Sequence, residues 1–219
     1  GAEVIDYPCI RTVPRDPAVE LDLAIGRLQE YKCLVFTSPA GPQVFFDRLR
    51  ALGKDARALW GLTVAAIGPK TAQILKKHGI TPDIVPEVYD SDHLAKALEH
   101  ITGPVLLCRA SKGSNAVPDL LSQKGIAFED VPCYDTVYAS PDPEKVLPLL
   151  DKPLLVTFTS ASTVRGFAES LPDGDFRNVT GVCIGHQTQA EAQKYGIATV
   201  VSQEATMESL IECIRKKEF

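Results

Sequence analysis

The sequence predicts an α/β fold built as two similar doubly wound parallel-sheet domains. Three observations carry this. A strand–turn–helix unit is written twice, as Val64-Ala65-Ala66-Ile67-Gly68-Pro69-Lys70-Thr71 and as Gly181-Val182-Cys183-Ile184-Gly185-His186-Gln187-Thr188. Around it lies a longer duplication with an offset of about 120 residues, too long for a solenoid and right for two copies of a domain. Leu34-Val35-Phe36-Thr37-Ser38 matches Val156-Thr157-Phe158-Thr159-Ser160, His78-Gly79-Ile80 matches Tyr195-Gly196-Ile197, and residues 1–9 match residues 125–133. Finally, nearly all-apolar short runs alternate with amphipathic helical stretches, the pattern of parallel strands covered on both faces.

In chain order, Gly1 to Tyr7 reads as a strand, followed by an extended Pro8–Pro14 segment bounded by prolines. Leu21, Leu23, Ala24 and Leu28 fall at helical spacing. A strand at Cys33–Phe36, a helix at Gln43–Ala51, a strand at Thr63–Ile67 and a helix at Thr71–Lys77 follow. A short strand at Ile84-Val85 precedes a helix opened by Ser91 and running to about His100. The second copy begins with a strand at Val105–Cys108, a helix at Ala116–Lys124, a strand at Phe128–Pro132 and an extended Tyr134–Tyr138. Strand Leu154–Phe158, helix Thr163–Ser170, strand Gly181–Ile184, helix Thr188–Tyr195, strand Thr199–Val201 and helix Met207–Arg215 complete it. Each domain is expected to hold about five strands. The equivalent extended segments near Thr12 and Thr136 serve as interdomain connections. Because Gly125 follows a strand and a helix whereas nothing precedes Gly1, the chain as given begins in mid-repeat, short by on the order of 20–30 residues.

Composition narrows the function. Hydrophobic content of 45% and charged content of 23% are ordinary for a globular domain. No apolar run approaches the roughly 20 residues that span a bilayer, so no membrane partner is expected. A net charge of −5 speaks against nucleic acid, and any anionic ligand has to be held by local positive potential. Six cysteines, without a Cys-x-x-Cys, read as buried free thiols of a reducing compartment, the cytoplasm. Cys9 and Cys133 occupy equivalent places and are the one pair whose proximity matters. His93 and His100 lack metal-ligand spacing, and no metal site is expected.

Familiar catalytic motifs are absent. Gly68-Pro69-Lys70-Thr71 lacks the glycine spacing of a phosphate loop, and there is no Gly-x-Gly-x-x-Gly or Gly-x-Ser-x-Gly. What remains is a set of hydroxyls and cations at strand ends: Thr37, Ser38, Thr71, Ser111, Ser114, Thr159, Ser160, Ser162 and Thr188, with Lys70, Arg109, Lys112 and Arg165 close by. Each hydroxyl alone reads first as a helix cap. Their repetition at the carboxyl ends of both sheets favours a ligand face, since open α/β sheets bind there and helix N-termini attract anions. Many weak donors suit a ligand with many carboxylates.

These residues resemble the uroporphyrinogen-III synthase family. The matching features are Phe36-Thr37-Ser38, Ile67-Gly68-x-x-Thr71, Gly79-Ile80, Arg109-Ala110-Ser111, Gly125-Ile126, Tyr134-x-Thr136-Val137, Phe158-Thr159-Ser160 and Ile184-Gly185-x-x-Thr188. His186 departs from the proline common at its place. The resemblance implies two similar α/β domains joined by a two-stranded linker, with hydroxymethylbilane, a polycarboxylate, in the cleft between them. It implies an interleaved path: residues 1–10 with 141–219 in one domain, 17–133 in the other, and linkers at 11–16 and 134–140. The implied reaction closes hydroxymethylbilane to uroporphyrinogen III and needs no cofactor. Tyr134 is the catalytic candidate, assisting loss of water, with an aromatic packing the linker as the alternative. Thr37, Ser38, Gly68, Thr71, Arg109, Ser111, Lys112, Thr159, Ser160, Ser162, Gly185 and Thr188 are the substrate-binding candidates. A monomer is expected, and some relatives are fused to a methyltransferase. Two other readings stay open, a non-catalytic tetrapyrrole-sensing module of the same fold and a two-domain small-ligand receptor. The receptor would want a signal peptide and a ligand-gripping Arg or aromatic cage.

Overall fold

A computed structural model of the chain describes residues 3–139 and 141–216. The chain divides into two compact units, one made of Gly1–Arg11 with Val137–Phe219 and the other of Thr12–Thr136. The larger unit carries a five-stranded sheet in the order β1 (Ile10–Pro14), β5 (Phe128–Tyr138), β4 (Val105–Ala110), β2 (Cys33–Phe36), β3 (Thr63–Ala66). Strands β2 to β5 run parallel. Arg15 N–H donates to the Cys133 carbonyl and Ala139 N–H to the Cys9 carbonyl, so β1 and the distal half of β5 run in opposite directions.

Helices cover both faces of this sheet, and the period-2 alternation of the strands decides what each face meets. Leu34, Phe36, Val64, Ala66, Leu106 and Cys108 point toward α1 (Val19–Gly26), α2 (Ala40–Ala51) and α3 (Pro69–Lys77), where Leu21, Ile25, Phe45, Leu49 and Leu75 are buried. Cys33, Val35, Ala65, Val105 and Leu107 pack instead with Leu94, Leu98, Val117 and Leu121 of α4 (Ser91–Ala97), its C-terminal turn, and α5 (Ala116–Gln123). Burial on both faces is why these strands read as unbroken apolar runs.

The smaller unit holds a parallel three-stranded sheet, β6 (Leu154–Phe158), β7 (Val179–Cys183) and β8 (Ala198–Val201). One core cluster joins Phe158, Val179 and Cys183 to Val164 and Phe167 of α6 (Ala161–Ser170) and to Ala192 of α7 (His186–Gln193). Helix α8 (Met207–Lys216) packs on β7 and β8, with Leu210 buried outside that cluster. Cys9 belongs to this core as well. Its carbonyl lies against Gly166, where an added Cβ would sit 2.6 Å from the Cys9 oxygen.

The structure corrects several expectations. Residues 3–9 form no strand: Val4 is 89% exposed and Ile5 40%, so their apolar side chains have no face to cover. Gly1 and Ala2 lie outside the described residues. Among the described residues the smaller unit's sheet therefore has three strands, not about five. Ile84 makes a single parallel bridge to Ala65, and Phe128–Tyr138 is one strand where two segments were expected. Helices α2, α3, α6 and α7 begin two or three residues earlier than their apolar patterns. At α3 the reason is plain, because Pro69 is pre-set for a first helical turn and needs no N–H there.

Candidate active site at the carboxyl edges of two sheets

Parallel strands deliver their carboxyl ends to one edge. In the larger unit that edge gathers Thr37 and Ser38 after β2, Gly68 to Thr71 after β3, Arg109 to Lys112 around the end of β4, and Tyr134 on β5. Tyr134 owes its direction to a bulge. β4 pairs Arg109 with Pro132 but Ala110 with Tyr134, so Cys133 is the extra residue. Proline cannot donate to a ladder, and a bulge is where a strand tolerates it. The extra residue resets the alternation. As a result Cys133 and Tyr134, though consecutive, are both buried in the same core cluster.

Tyr134 is 4% exposed, and its hydroxyl is hydrogen-bonded to Ser38 Oγ. Gly41 N–H donates to the same Ser38 oxygen at 3.3 Å. Glycine eases the approach there: a Cβ would lie 3.0 Å from the Cys108 carbonyl and 3.1 Å from the Phe36 ring, tighter than ordinary contact, so any larger residue would press α2 away from the sheet by a few tenths of an ångström. Burial pushes the Tyr134 phenol above its ordinary pKa, and the bond to Ser38 pulls it part of the way back. The Tyr134 carbonyl accepts from Ser111 N–H at 3.0 Å. Ser111 Oγ donates to Asp135, which lies 3.8 Å from Arg15.

Arg109 is 9% exposed and committed. Its Nε donates to Asp130 at 2.7 Å, Nη2 to the other Asp130 oxygen, and Nη1 to the Ser114 carbonyl at 2.9 Å. An added Cβ at Gly113 would come 3.1 Å from that Nη1, so the loop after β4 is folded onto the guanidinium.

Helices α3 and α7 open alike. Their N-caps, Gly68 and Gly185, are extended and neither provides a side-chain cap, so the first-turn amides keep no side-chain partner at the cap. Thr71 (1% exposed) and Thr188 (4%) stand three residues into each turn. Such ends carry a partial positive charge that favours anions. Tyr89 flanks Gly68, where a Cβ would meet its ring at 3.2 Å, whereas a Cβ at Gly185 would meet nothing within 4 Å.

At the carboxyl edge of the smaller sheet, Ser160 forms a reciprocal capping box with Thr163, each backbone N–H donating to the other's hydroxyl at 3.2 Å. Ser162 Oγ accepts from Arg165 at 3.5 Å. Arg165 also reaches Glu191 at 3.2 Å and bonds Tyr138, and Lys194 meets Glu191 at 2.8 Å. Thr159 is exposed. Among the described residues no group of three or more His, Cys, Asp or Glu could hold a metal ion, and no helix is long and apolar enough to cross a membrane. Five cysteines are buried and all six are free. Cys9 and Cys133 sit in separate core clusters, and the thiol partner of Cys133 is Cys108.

A sequence profile described as uroporphyrinogen-III synthase HemD matches residues 1–212. The chain belongs to the uroporphyrinogen-III synthase family. It is 38% identical over 217 residues to the porphyrin biosynthesis protein HemD of Ruminiclostridium josui, covering 97% of this chain but only 43% of that protein. It is 28% identical over 235 residues to the uroporphyrinogen-III synthase of Synechococcus elongatus, covering 99% of this chain and 86% of that one. Among solved structures, a mutant uroporphyrinogen III synthase from Thermus thermophilus superposes with TM-score 0.67 at 21% identity, covering 96% of this chain and 87% of that one. The Helicobacter pylori protein gives 0.66 at 18%, covering 94% and 90%. At those identities the likeness shows the fold, an α/β fold with parallel-dominated sheets.

Set beside the family motif, the expected residues divide. Thr37, Ser38, Gly68, Thr71, Ser111, Lys112 and Tyr134 share one edge of the larger unit. Thr159, Ser160, Ser162, Gly185 and Thr188 share the corresponding edge of the smaller one. Two of them have structural duties: Ser160 is a helix cap, and Arg109 pins the loop after β4 instead of offering an open guanidinium. Sequence reasoning missed Gly41, Tyr89 and the Asp135–Arg15 pair. The bulge left one readable sign, a proline inside an otherwise strand-like run.

Proposed function

We propose that this chain, alone or as a part of a longer protein, cyclises hydroxymethylbilane to uroporphyrinogen III. The step loses water and inverts ring D, a hydro-lyase-type closure in tetrapyrrole biosynthesis. The observation that carries the reading is family membership over residues 1–212, on a fold whose two sheet edges both present uncapped helix N-termini. In this reading the two units are two domains connected by the β1–β5 ribbon, and the enzyme works in the cytoplasm.

Each residue role follows from its setting. Backbone amides at the starts of α3 and α7, with Thr71 and Thr188, take substrate carboxylates, which lets an acidic protein hold a polyanion. Loss of the hydroxymethyl oxygen as hydroxide is poor chemistry unless it gains a proton. Tyr134 supplies that proton. A phenol whose pKa is raised by burial stays protonated at neutral pH and adds no negative charge beside the carboxylates. The pyrrole nitrogen pushes the bond out to give an azafulvene. The rest of the task is to hold the folded chain of pyrroles so that the substituted carbon of ring D attacks, which is catalysis by orientation.

The test is product identity. Hydroxymethylbilane is incubated with the full-length protein and the oxidised products are separated by chromatography. Isomer III in excess over the buffer control supports the reading, and isomer I alone at the spontaneous rate refutes it.

A further inference from the structure

We propose that Ser38 is a positioning residue for Tyr134: its hydroxyl donates to the phenol oxygen and so leaves the phenolic proton free for the departing hydroxyl of the substrate. This rests on the reaction proposed above and on the hydrogen bond that Ser38 and Tyr134 share. A serine hydroxyl has one proton and two lone pairs. Gly41 N–H takes one lone pair of Ser38, and among the described residues the other partner of that hydroxyl is Tyr134. With Tyr134 as donor, the phenolic proton is spent on Ser38 and is not available to a substrate. With Ser38 as donor, the phenol oxygen is held and its proton is free for the substrate. Accepting from Gly41 also strengthens Ser38 as a donor, because linked hydrogen bonds polarise one another.

Three features build the arrangement. Gly41 admits the first turn of α2 to the sheet so that its N–H reaches Ser38. The bulge at Cys133 swings Tyr134 onto the face that meets Ser38. Ser111 N–H, bonded to the Tyr134 carbonyl, fixes the strand at the same residue. The other titratable neighbours leave the phenol its proton control. Cys133 and Cys108 are buried thiols, Cys108 held well above its ordinary pKa by burial, and Asp135, next along the strand, is matched by Arg15.

The step balances. The C–O bond of the hydroxymethyl group breaks with its electron pair going to oxygen, which takes the Tyr134 proton and leaves as water. The pyrrole nitrogen lone pair becomes the new C=N bond. The phenolate left behind is held by the Ser38 O–H, and the proton released when the macrocycle closes restores the phenol.

The experiment compares Ser38→Ala and Ser38→Thr with the parent protein, alone and combined with Tyr134→Phe. In Ser38→Ala kcat is expected to fall about tenfold with KM within about twofold, the loss of one hydrogen bond made to developing charge. Ser38→Thr, which keeps the hydroxyl, restores most of the rate. On the Tyr134→Phe background, Ser38→Ala costs less than about twofold, because two residues acting as a unit are not additive. Tyr134 is also titrated directly by NMR with ¹³Cζ-tyrosine, its signal assigned by its absence in Tyr134→Phe. Its pKa is expected to rise in Ser38→Ala, since a bond donated to the oxygen favours phenolate. An unchanged kcat in Ser38→Ala, costs that simply add, or an unmoved titration with only lower stability would each overturn the proposal. If the parent protein makes no isomer III, the activity reading has failed on its own, and the titration still decides the direction of the Ser38 bond.

Discussion

Adding a single methyl group at Gly166 is expected to destabilise the smaller unit, although alanine is the better helix former. Gly166 lies inside α6, and an added Cβ would stand 2.6 Å from the Cys9 carbonyl oxygen, 3.0 Å from its Cβ and 3.2 Å from its carbonyl carbon. Ordinary contact begins at 3.4 Å, and the obstructing atoms are backbone. That carbonyl is also tied by Ala139 N–H at 2.9 Å, so the strain cannot be relieved by turning a side chain. Overpacking of this kind costs about 1–3 kcal/mol and here falls at the upper end. The helix-propensity gain of Gly→Ala returns about 1 kcal/mol. The net loss is about 2 kcal/mol, which for a chain of this size lowers Tm by about 4–8 °C. Gly26→Ala is the control: it ends α1 with nothing within 4 Å of the new Cβ, so it should be neutral or stabilise by up to about 1 kcal/mol. Thermal melts of both variants, followed by circular dichroism, decide the matter. A Gly166→Ala protein as stable as the parent would show that the Cys9 segment is not packed on α6 as described.

Two further outcomes follow. Tyr31, buried at the amino end of the larger unit's sheet, donates its hydroxyl to Glu129, which also takes Arg27. Tyr31→Phe should cost roughly 1–2 kcal/mol in denaturant unfolding while leaving turnover unchanged, since that end of the sheet carries no site residue. Glu191 is held below the usual carboxylate pKa by Lys194 and, after a counteracting burial, by Arg165. A depressed carboxyl contributes stability that is present above its unfolded pKa of about 4.3 and lost as pH falls through the lower folded value. Glu191→Gln should therefore flatten the fall of Tm between about pH 6 and pH 3, and an identical slope in parent and variant would contradict the pairing.

Much of the fold was legible because its cause is local. Doubly covered strands are unbroken apolar runs, so Cys33–Phe36, Thr63–Ala66 and Leu154–Phe158 stood out within a residue. Gly1–Tyr7 misled for the same reason. It copies residues 125–131 in sequence, but a strand needs a neighbouring ladder, and residues 3–9 pair with none in a sheet. Site residues were legible by position and not by duty. Ser160 and Ser38 occupy equivalent places in the repeat, yet one closes a capping box and the other meets a tyrosine. The difference is made about 100 residues away, by the bulge that turns Tyr134. Arg109 read as a free cation because its partner, Asp130, lies on a different strand. Gly41 carries no sign at all in one sequence, since what favours glycine is the nearness of the Cys108 carbonyl and the Phe36 ring.

Proton donation by Tyr134 to the leaving oxygen is tested most directly by Tyr134→Phe, because the change keeps the ring that packs the core and removes only the hydroxyl. Steady-state rates of isomer III formation from hydroxymethylbilane are measured for parent and variant, together with substrate affinity and Tm. The variant is expected to fold, to bind substrate with little change and to turn it over at least about tenfold more slowly, a loss of roughly 1.4 kcal/mol of transition-state stabilisation. Turnover equal to that of the parent would contradict it and leave Tyr134 as a packing residue.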